Sequence, residues 1–200
     1  MMKRKLQLAF SSLFFFVSLP MLVWGFWPPR RETIYVPLAI PDGMPSLPEA
    51  RTIRLEYAPS MRAGDSQVVE LSLVAEGGAA ESGVYEQYNV LVESRLDLPL
   101  ADARPADAVS AALTDGRGAA FYWDVTPRQE GTLRGTAWLY LRFVPQAGGV
   151  ETRQPVSAQL VEIRSKSLLK RTGSEARIWG VVGSVIGLAA GFPFVRRRAK

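Results

Sequence analysis

The residues able to do chemistry in this 200-residue chain are carboxylates, hydroxyls, amines and guanidines, because it contains no cysteine and no histidine. That composition removes thiolate nucleophiles, Cys/His zinc sites and imidazole bases at the outset. Glu93 and Asp97 are the best-spaced carboxylate pair. They stand four residues apart in an alternating segment and so share one strand face. Paired carboxylates divide acid and base roles when their environments differ. Arg95 falls between them on the same face, so the trio reads as a charge-balanced, solvated surface. Asp102, Asp107 and Asp115 read as loop residues without the alternate spacing and closing Glu of a calcium loop. Asp115-Gly116-Arg117-Gly118 reads as a turn. No glycine-rich phosphate loop with its lysine is present, and Met44 and Met61 are too isolated to form a soft copper site. The expectation is a non-enzymatic chain with no catalytic residue, no metal and no cofactor.

The elements that would hold any site are set by where apolar residues concentrate. Leu6–Trp27 is an uncharged run of 22 residues, about 33 Å as a helix and enough for a bilayer core. Trp24 and Trp27 stand where an interfacial aromatic belt would lie, and Lys3, Arg4 and Lys5 precede the run as a topology signal. The run reads as a signal anchor, or else as a secretory signal cleaved after Val23-Trp24-Gly25; either exports the residues that come after it in the chain. Ile178–Val195 is a second uncharged run of 18 residues, closed by Arg196, Arg197 and Arg198. Arg30, Arg31, Lys166, Lys170, Arg171 and Arg177 on the opposite flanks partly cancel that charge bias. Within the second run Gly183, Gly187 and Gly191 recur every four residues, with Ser184 four from Gly180. On a helix this is a smooth face for close approach of another helix, from the same protein or a different membrane protein. Net charge is +5 with a pI near 9.7. The basic residues flank the apolar ends, so the charge points to lipid headgroups and not to nucleic acid.

Between the runs the pattern changes twice. Residues 28–48 hold six prolines, a stiff spacer in which Ile34, Val36, Leu38 and Ile40 alternate as a candidate edge strand. From about Ala50 the period is two. Ile53, Leu55 and Tyr57, then Val69, Leu71 and Leu73, flank a turn at Arg62-Ala63-Gly64-Asp65 and predict a hairpin. Tyr88 to Leu98, Phe121 to Val125 and Ala137 to Phe143 each give one apolar face, and Val156–Ile163 closes the series with a register slip near Leu160-Val161. Alternation across roughly seven strands predicts two antiparallel sheets packed face to face. The alanine-rich stretch Pro105–Leu113 is expected to form one short helix. Trp138 and Tyr140 fall on the outer face, opposite Leu139 and Leu141, and are candidate partner contacts.

Phe121-Tyr122-Trp123-Asp124-Val125-Thr126-Pro127, then Gly131 and Trp138–Phe143, resembles a pattern in bacterial extracytoplasmic immunoglobulin-like domains that precede a carboxy-terminal membrane helix. Pro59–Leu73, with Gly64-Asp65 before an alternating strand, is similar to their early hairpin. The resemblance covers about half the chain and implies a fold without an activity. Leu169-Lys170-Arg171-Thr172-Gly173 followed by an apolar run also resembles a cell-wall sorting signal, but Lys170 stands where that pattern has proline.

The expected architecture is an all-β, antiparallel immunoglobulin-like β-sandwich flanked by amino- and carboxy-terminal transmembrane helices. Its parts are an anchor over 1–27, a proline-rich linker over 28–49, the sandwich over 50–165, a basic juxtamembrane segment over 166–177, a transmembrane helix over 178–195 and a basic cytoplasmic tail over 196–200. The expected role is a membrane-anchored extracytoplasmic interaction or structural module, a subunit or assembly partner of a larger membrane complex. A surface-displayed adhesion or ligand-binding domain with a cleaved signal peptide is the alternative.

Overall fold

The computed structural model describes residues 2–77 and 83–198, with side chains at 13–77 and 83–189. The chain forms α1 (Met2–Phe26), β1 (Glu32–Pro37), β2 (Arg51–Tyr57), β3 (Ser60–Arg62), β4 (Gln67–Ala75), α2 (Val84–Gln87), β5 (Tyr88–Asp97), β6 (Ala101–Arg104), β7 (Val109–Leu113), β8 (Ala119–Pro127), β9 (Gly131–Pro145), β10 (Thr152–Lys166) and α3 (Gly173–Arg198). The strands make two five-stranded sheets, ordered β1-β2-β4-β8-β6 and β3-β10-β9-β5-β7. Inward-facing Ile53, Leu55, Leu71, Leu73, Phe121 and Trp123 of the first meet Val92, Leu139, Leu141, Phe143 and Ile163 of the second, all buried. Phe121 and Trp123 stack with ring centroids 6.4 Å apart. Period-two patterning puts one face of each strand in this core and the other in solvent.

With β2, β4, β8 and β6 as strands A, B, E and D, and β5, β9 and β10 as C, F and G, the pairing is that of an immunoglobulin-type sandwich. β7 inserts between D and E and returns to the C edge. β2 and β4 pair antiparallel, with Leu55 opposite Leu71. They are not joined by a simple turn, because β3 leaves for the other sheet and pairs parallel with β10.

Three sequence expectations need correcting. Pro105–Leu113 is not helical: Val109–Leu113 forms β7 and pairs with β5. Leu113 is buried there, so burial against the sheet overrides alanine's helical preference. The slip in β10 lies between Pro155 and Ser157, four residues before the expected site. From Ser157 onward Val161 and Ile163 point inward and Leu160 outward. Asp102 lies on β6, paired with Arg104 and Arg128, and not in a loop.

In the proline-rich segment, β1 pairs with β2 as the edge of the first sheet. At the other end of the sandwich α1 and α3 lie side by side. They are antiparallel: Gly25 meets Arg177, Leu22 meets Gly180, and Ser18 meets Gly183. Their outward faces expose Phe16, Val17 and Val23 of α1 and Ile178, Val185, Ile186 and Leu188 of α3. Among the described residues, no helix is long and apolar enough to cross a membrane.

Candidate functional site: the joint between the helices and the sandwich

The β3–β4 loop is the socket of this joint. Gly64 takes φ +77°, a left-handed conformation natural to glycine, and its amide donates to the Pro127 carbonyl at 3.1 Å. A side chain on Gly64 would also meet Thr172 at 3.2 Å. The Ala63 amide donates to the Lys166 carbonyl at 2.9 Å, and the Gly173 amide donates to the Ala63 carbonyl at 3.1 Å. These bonds tie the start of α3 to the loop.

Thr172 and Glu175 form a reciprocal capping box. The Glu175 amide donates to Thr172 Oγ1 at 3.3 Å, and the Thr172 amide donates to Glu175 Oε2 at 2.9 Å. The cap starts α3 at Gly173, five residues before the uncharged run. Asp65 lies against Gly173, at the positive end of the helix dipole.

Asp65 is the electrostatic centre. Arg177 donates to both of its oxygens, Nη1 to Oδ2 at 2.9 Å and Nη2 to Oδ1 at 2.8 Å. Arg62 Nε donates to Oδ2 at 2.9 Å. Asp65 is 8% exposed. Burial opposes its ionisation, but the Arg177 and Arg62 guanidiniums outweigh that effect and hold its carboxyl below the usual carboxylate range. Arg62 Nη1 also donates to the carbonyls of Trp24 and Trp27, at 2.9 and 2.8 Å, satisfying groups left open at the end of α1. The Arg62 guanidinium lies 5.6 Å from the Trp24 ring centroid, and Arg177 Nη1 donates to the Gly25 carbonyl at 3.3 Å. One carboxylate and two guanidiniums thus clamp the loop, the end of α1 and the start of α3. Arg171 covers Trp179 at 5.1 Å, so Trp24, Trp27 and Trp179 share this level of the structure with basic side chains beside two of them.

The glycine face of α3 lies against α1. Ala176, Gly180, Gly183 and Gly187 are buried on it. A Cβ on Gly180 would come within 2.8 Å of the Leu22 amide nitrogen, and one on Gly183 would strike Ser18 Oγ. Ser18 and Ser184 turn their hydroxyls onto their own helices, donating to the carbonyls of Phe14 at 2.6 Å and Gly180 at 2.7 Å. The surroundings of Gly191 lie outside the described residues. So do the side chains of Lys3, Arg4, Lys5, Arg196, Arg197 and Arg198, which stand near the ends of their helices remote from the joint.

Trp138 and Tyr140 lie on the outer face of the second sheet, half-buried and stacked at 6.3 Å. Arg153 caps Tyr140 at 4.1 Å from the ring centroid. Glu93, 7% exposed, accepts from Arg153 at 2.7 Å and Arg142 at 3.3 Å. Burial raises its pKa, and the two arginines outweigh this and lower it. It therefore pairs across strands and not with Arg95, which lies opposite Trp138. Arg153→Ala removes a half-buried ion pair, of which Glu93 keeps its second partner Arg142, and a cation–π contact together. It is expected to cost about 1 kcal/mol, read as a small drop in the urea midpoint with unchanged slope.

A second polar cluster is buried at the far end of the sandwich. Arg51 pairs with Glu49 and donates to the carbonyls of Arg117 at 2.7 Å and Thr114 at 3.1 Å, and the Tyr85 hydroxyl donates to Glu49 at 2.7 Å. It ties β2, α2 and the β7–β8 turn together. Among the described residues no three His, Cys, Asp or Glu converge as metal ligands.

Trp24, Trp27 and Arg177 stand beside the apolar runs in the sequence and Asp65 stands in a turn, but nothing in their spacing predicts their union. Thr172 and Glu175 carried a readable signal, the spacing of a capping box before an apolar run. Asp65 and Arg177 carried none, being 112 positions apart.

No family model and no curated protein matches the sequence. Among solved structures the chain is similar to a chain of the complex between Zinc 2-glycoprotein and Prolactin inducible protein from human seminal plasma, with 13% identity over 68% of this chain and 97% of that one, at a TM-score of 0.38. It is also similar to the ASH/PapD-like domain 7 of human CEP192, with 12% identity over 65% and 95% and a TM-score of 0.34. AggA, the major subunit of aggregative adherence fimbriae type I from Escherichia coli, aligns at 6% identity over 68% and 96%, with a TM-score of 0.31. These likenesses are distant, and the sandwich assignment rests on the strand pairing of the two sheets.

Proposed function

We propose that this chain is a non-enzymatic module anchored in a cell membrane by α1 and α3 as a helical hairpin, with the β-sandwich on the extracytoplasmic side and both basic helix ends in the cytoplasm. The antiparallel helix pair carries this reading. It turns the Lys3-Arg4-Lys5 and Arg196-Arg197-Arg198 ends in the same direction, away from the sandwich. Basic clusters at one common end fit a two-span protein with both termini in the cytoplasm, and the basic residues at the joint, such as Arg30, Lys166 and Arg171, oppose that bias only in part. The uncharged runs Leu6–Trp27 and Ile178–Val195 extend beyond the described side chains and supply hydrocarbon-length sequence in both helices. Exposed Phe16, Val17, Val185 and Leu188 suit contact with lipid, where the same exposure to water would be costly. Trp24, Trp27 and Trp179 suit the headgroup level.

As a module it works by contact, as a subunit or assembly partner of a larger membrane complex. The surface offered is the outer face of the second sheet, where Trp138, Tyr140 and Arg153 form a rigid patch with little side-chain entropy left to lose. The clamp at Asp65 supports this role, because it fixes the orientation of that face relative to the anchor. The bacterial setting comes from the sequence resemblance alone.

The absence of native cysteine makes the topology directly measurable. Val150→Cys, at an exposed tip, is expected to react with a membrane-impermeant maleimide in intact spheroplasts. Lys200→Cys should react only after permeabilisation. The reverse order, or equal labelling of both without lysis, ends the proposal.

A further inference from the structure

We infer that the joint holds one anionic phospholipid, its phosphate against Arg30 and Lys166 and an acyl chain in the cleft between α1 and the sandwich. This deepens the anchoring reading and rests on it. The cleft has a volume of about 720 Å³ and is walled by Leu19, Val23, Trp24, Trp27 and Met61. That wall is apolar, and exposed Phe16 stands about two helical turns before Val23 on α1. At the sandwich end the lining changes character and becomes cationic, through Arg30, Arg62 and Lys166.

The charges in the cleft are not equivalent. Arg62 is already used by Asp65 and by the carbonyls of Trp24 and Trp27. Asp65, the one carboxylate in the lining, is saturated by Arg62 and Arg177. Arg30 and Lys166 are exposed and make no ion pair among the described residues. The cleft therefore presents two uncommitted cations above an apolar slot. A zwitterionic headgroup brings its own cation to the same place and gains less; a free phosphate leaves the apolar wall unfilled. An anionic phospholipid matches both halves, at the depth where a headgroup would stand beside Trp24 and Trp27.

The test uses the intact chain in phosphatidylcholine nanodiscs. A small, equal mole fraction of lipid with brominated chains is added as phosphatidylglycerol or as phosphatidylcholine, and tryptophan quenching is followed. Trp24→Phe identifies the share of the signal that arises in the cleft. Brominated phosphatidylglycerol is expected to quench that share at far lower mole fraction than brominated phosphatidylcholine. Arg30→Gln with Lys166→Gln should remove the preference, roughly thirtyfold at about fivefold per cation. Equal quenching by both lipids, with the chain still resisting alkaline extraction from membranes, overturns the lipid site and leaves the anchoring intact. Quenching by neither, with the chain released by alkali, overturns both. Loss of the phosphatidylglycerol preference on adding inorganic phosphate at matched ionic strength also overturns the assignment, because the site then reads an anion and not a lipid.

Discussion

Gly180→Leu combined with Gly183→Leu is expected to drive α3 off α1 while leaving the sandwich folded. The reason is the distance between backbones. A Cβ on Gly180 would sit 2.8 Å from the Leu22 nitrogen and 2.9 Å from its Cα. Those are main-chain atoms, so no rotamer change relieves the clash. At Gly183 the obstacles are the Ser18 hydroxyl and the Ser18 Cβ at 2.9 Å; the hydroxyl could turn away only by giving up its bond to Phe14, and the Cβ cannot turn away at all. Overpacking of this kind costs about 1–3 kcal/mol per site. Apolar helices in lipid have little hydrophobic drive to compensate, since their association depends on close approach itself. Spin labels at Leu19→Cys and Val185→Cys, both on exposed positions, should report a longer and broader distance distribution in the double variant. The urea midpoint of the sandwich should stay put, because none of its core residues touches the glycines. An unchanged distance distribution would show that the glycine groove does not seat α1.

That groove was visible as a four-residue glycine repeat, yet its occupant was not. The sequence offers no rule that matches Gly180 to Leu22 across more than 150 residues, and close helix approach serves pairing within a chain as well as between chains. The sheets were more legible. Leu55 and Leu71 alternate with polar neighbours and do face each other, because a half-buried sheet writes its register into every second residue. Legibility failed where an element was short or where packing overruled propensity. Ser60–Arg62 is too brief to show a period, so the excursion of β3 to the second sheet stayed hidden behind an apparent hairpin. Residues 105–113 looked helical by alanine content, but Val109, Ala111 and Leu113 supply the alternation that β5 needs at its edge. In the sequence the slip in β10 shows at Leu160-Val161, where two apolar residues sit side by side. The extra residue is instead Val156, and Leu160 points outward.

The joint was the least legible feature and supports the second large effect, which concerns Asp65. Asp65→Ala leaves Arg177 and Arg62 facing each other with no anion between them. Breaking a buried ion pair by removing one partner costs about 3–5 kcal/mol. Arg177 is 32% exposed, so solvent returns part of that and about 2–3 kcal/mol is the better expectation. The loss should be local. Asp65 lies in a loop outside the core, so the strands keep their protection against hydrogen exchange. Amides near Thr172–Arg177 and Trp24–Trp27 should lose protection by roughly 30- to 150-fold, the factor equivalent to that energy. Acid should do in the native chain what the substitution does at neutral pH. Because the folded carboxyl titrates below its unfolded value of about 3.9, its stabilisation is complete well above that value. It is lost as pH falls through the lower, folded pKa. Protection at the joint, corrected for intrinsic exchange rates, should therefore decline below about pH 4–5 in the native chain and stay flat in Asp65→Ala. Parallel declines in both would assign the acid sensitivity elsewhere, with Glu93 and its two arginines the next group to test, and would remove Asp65 as the clamp that sets the angle between anchor and sandwich.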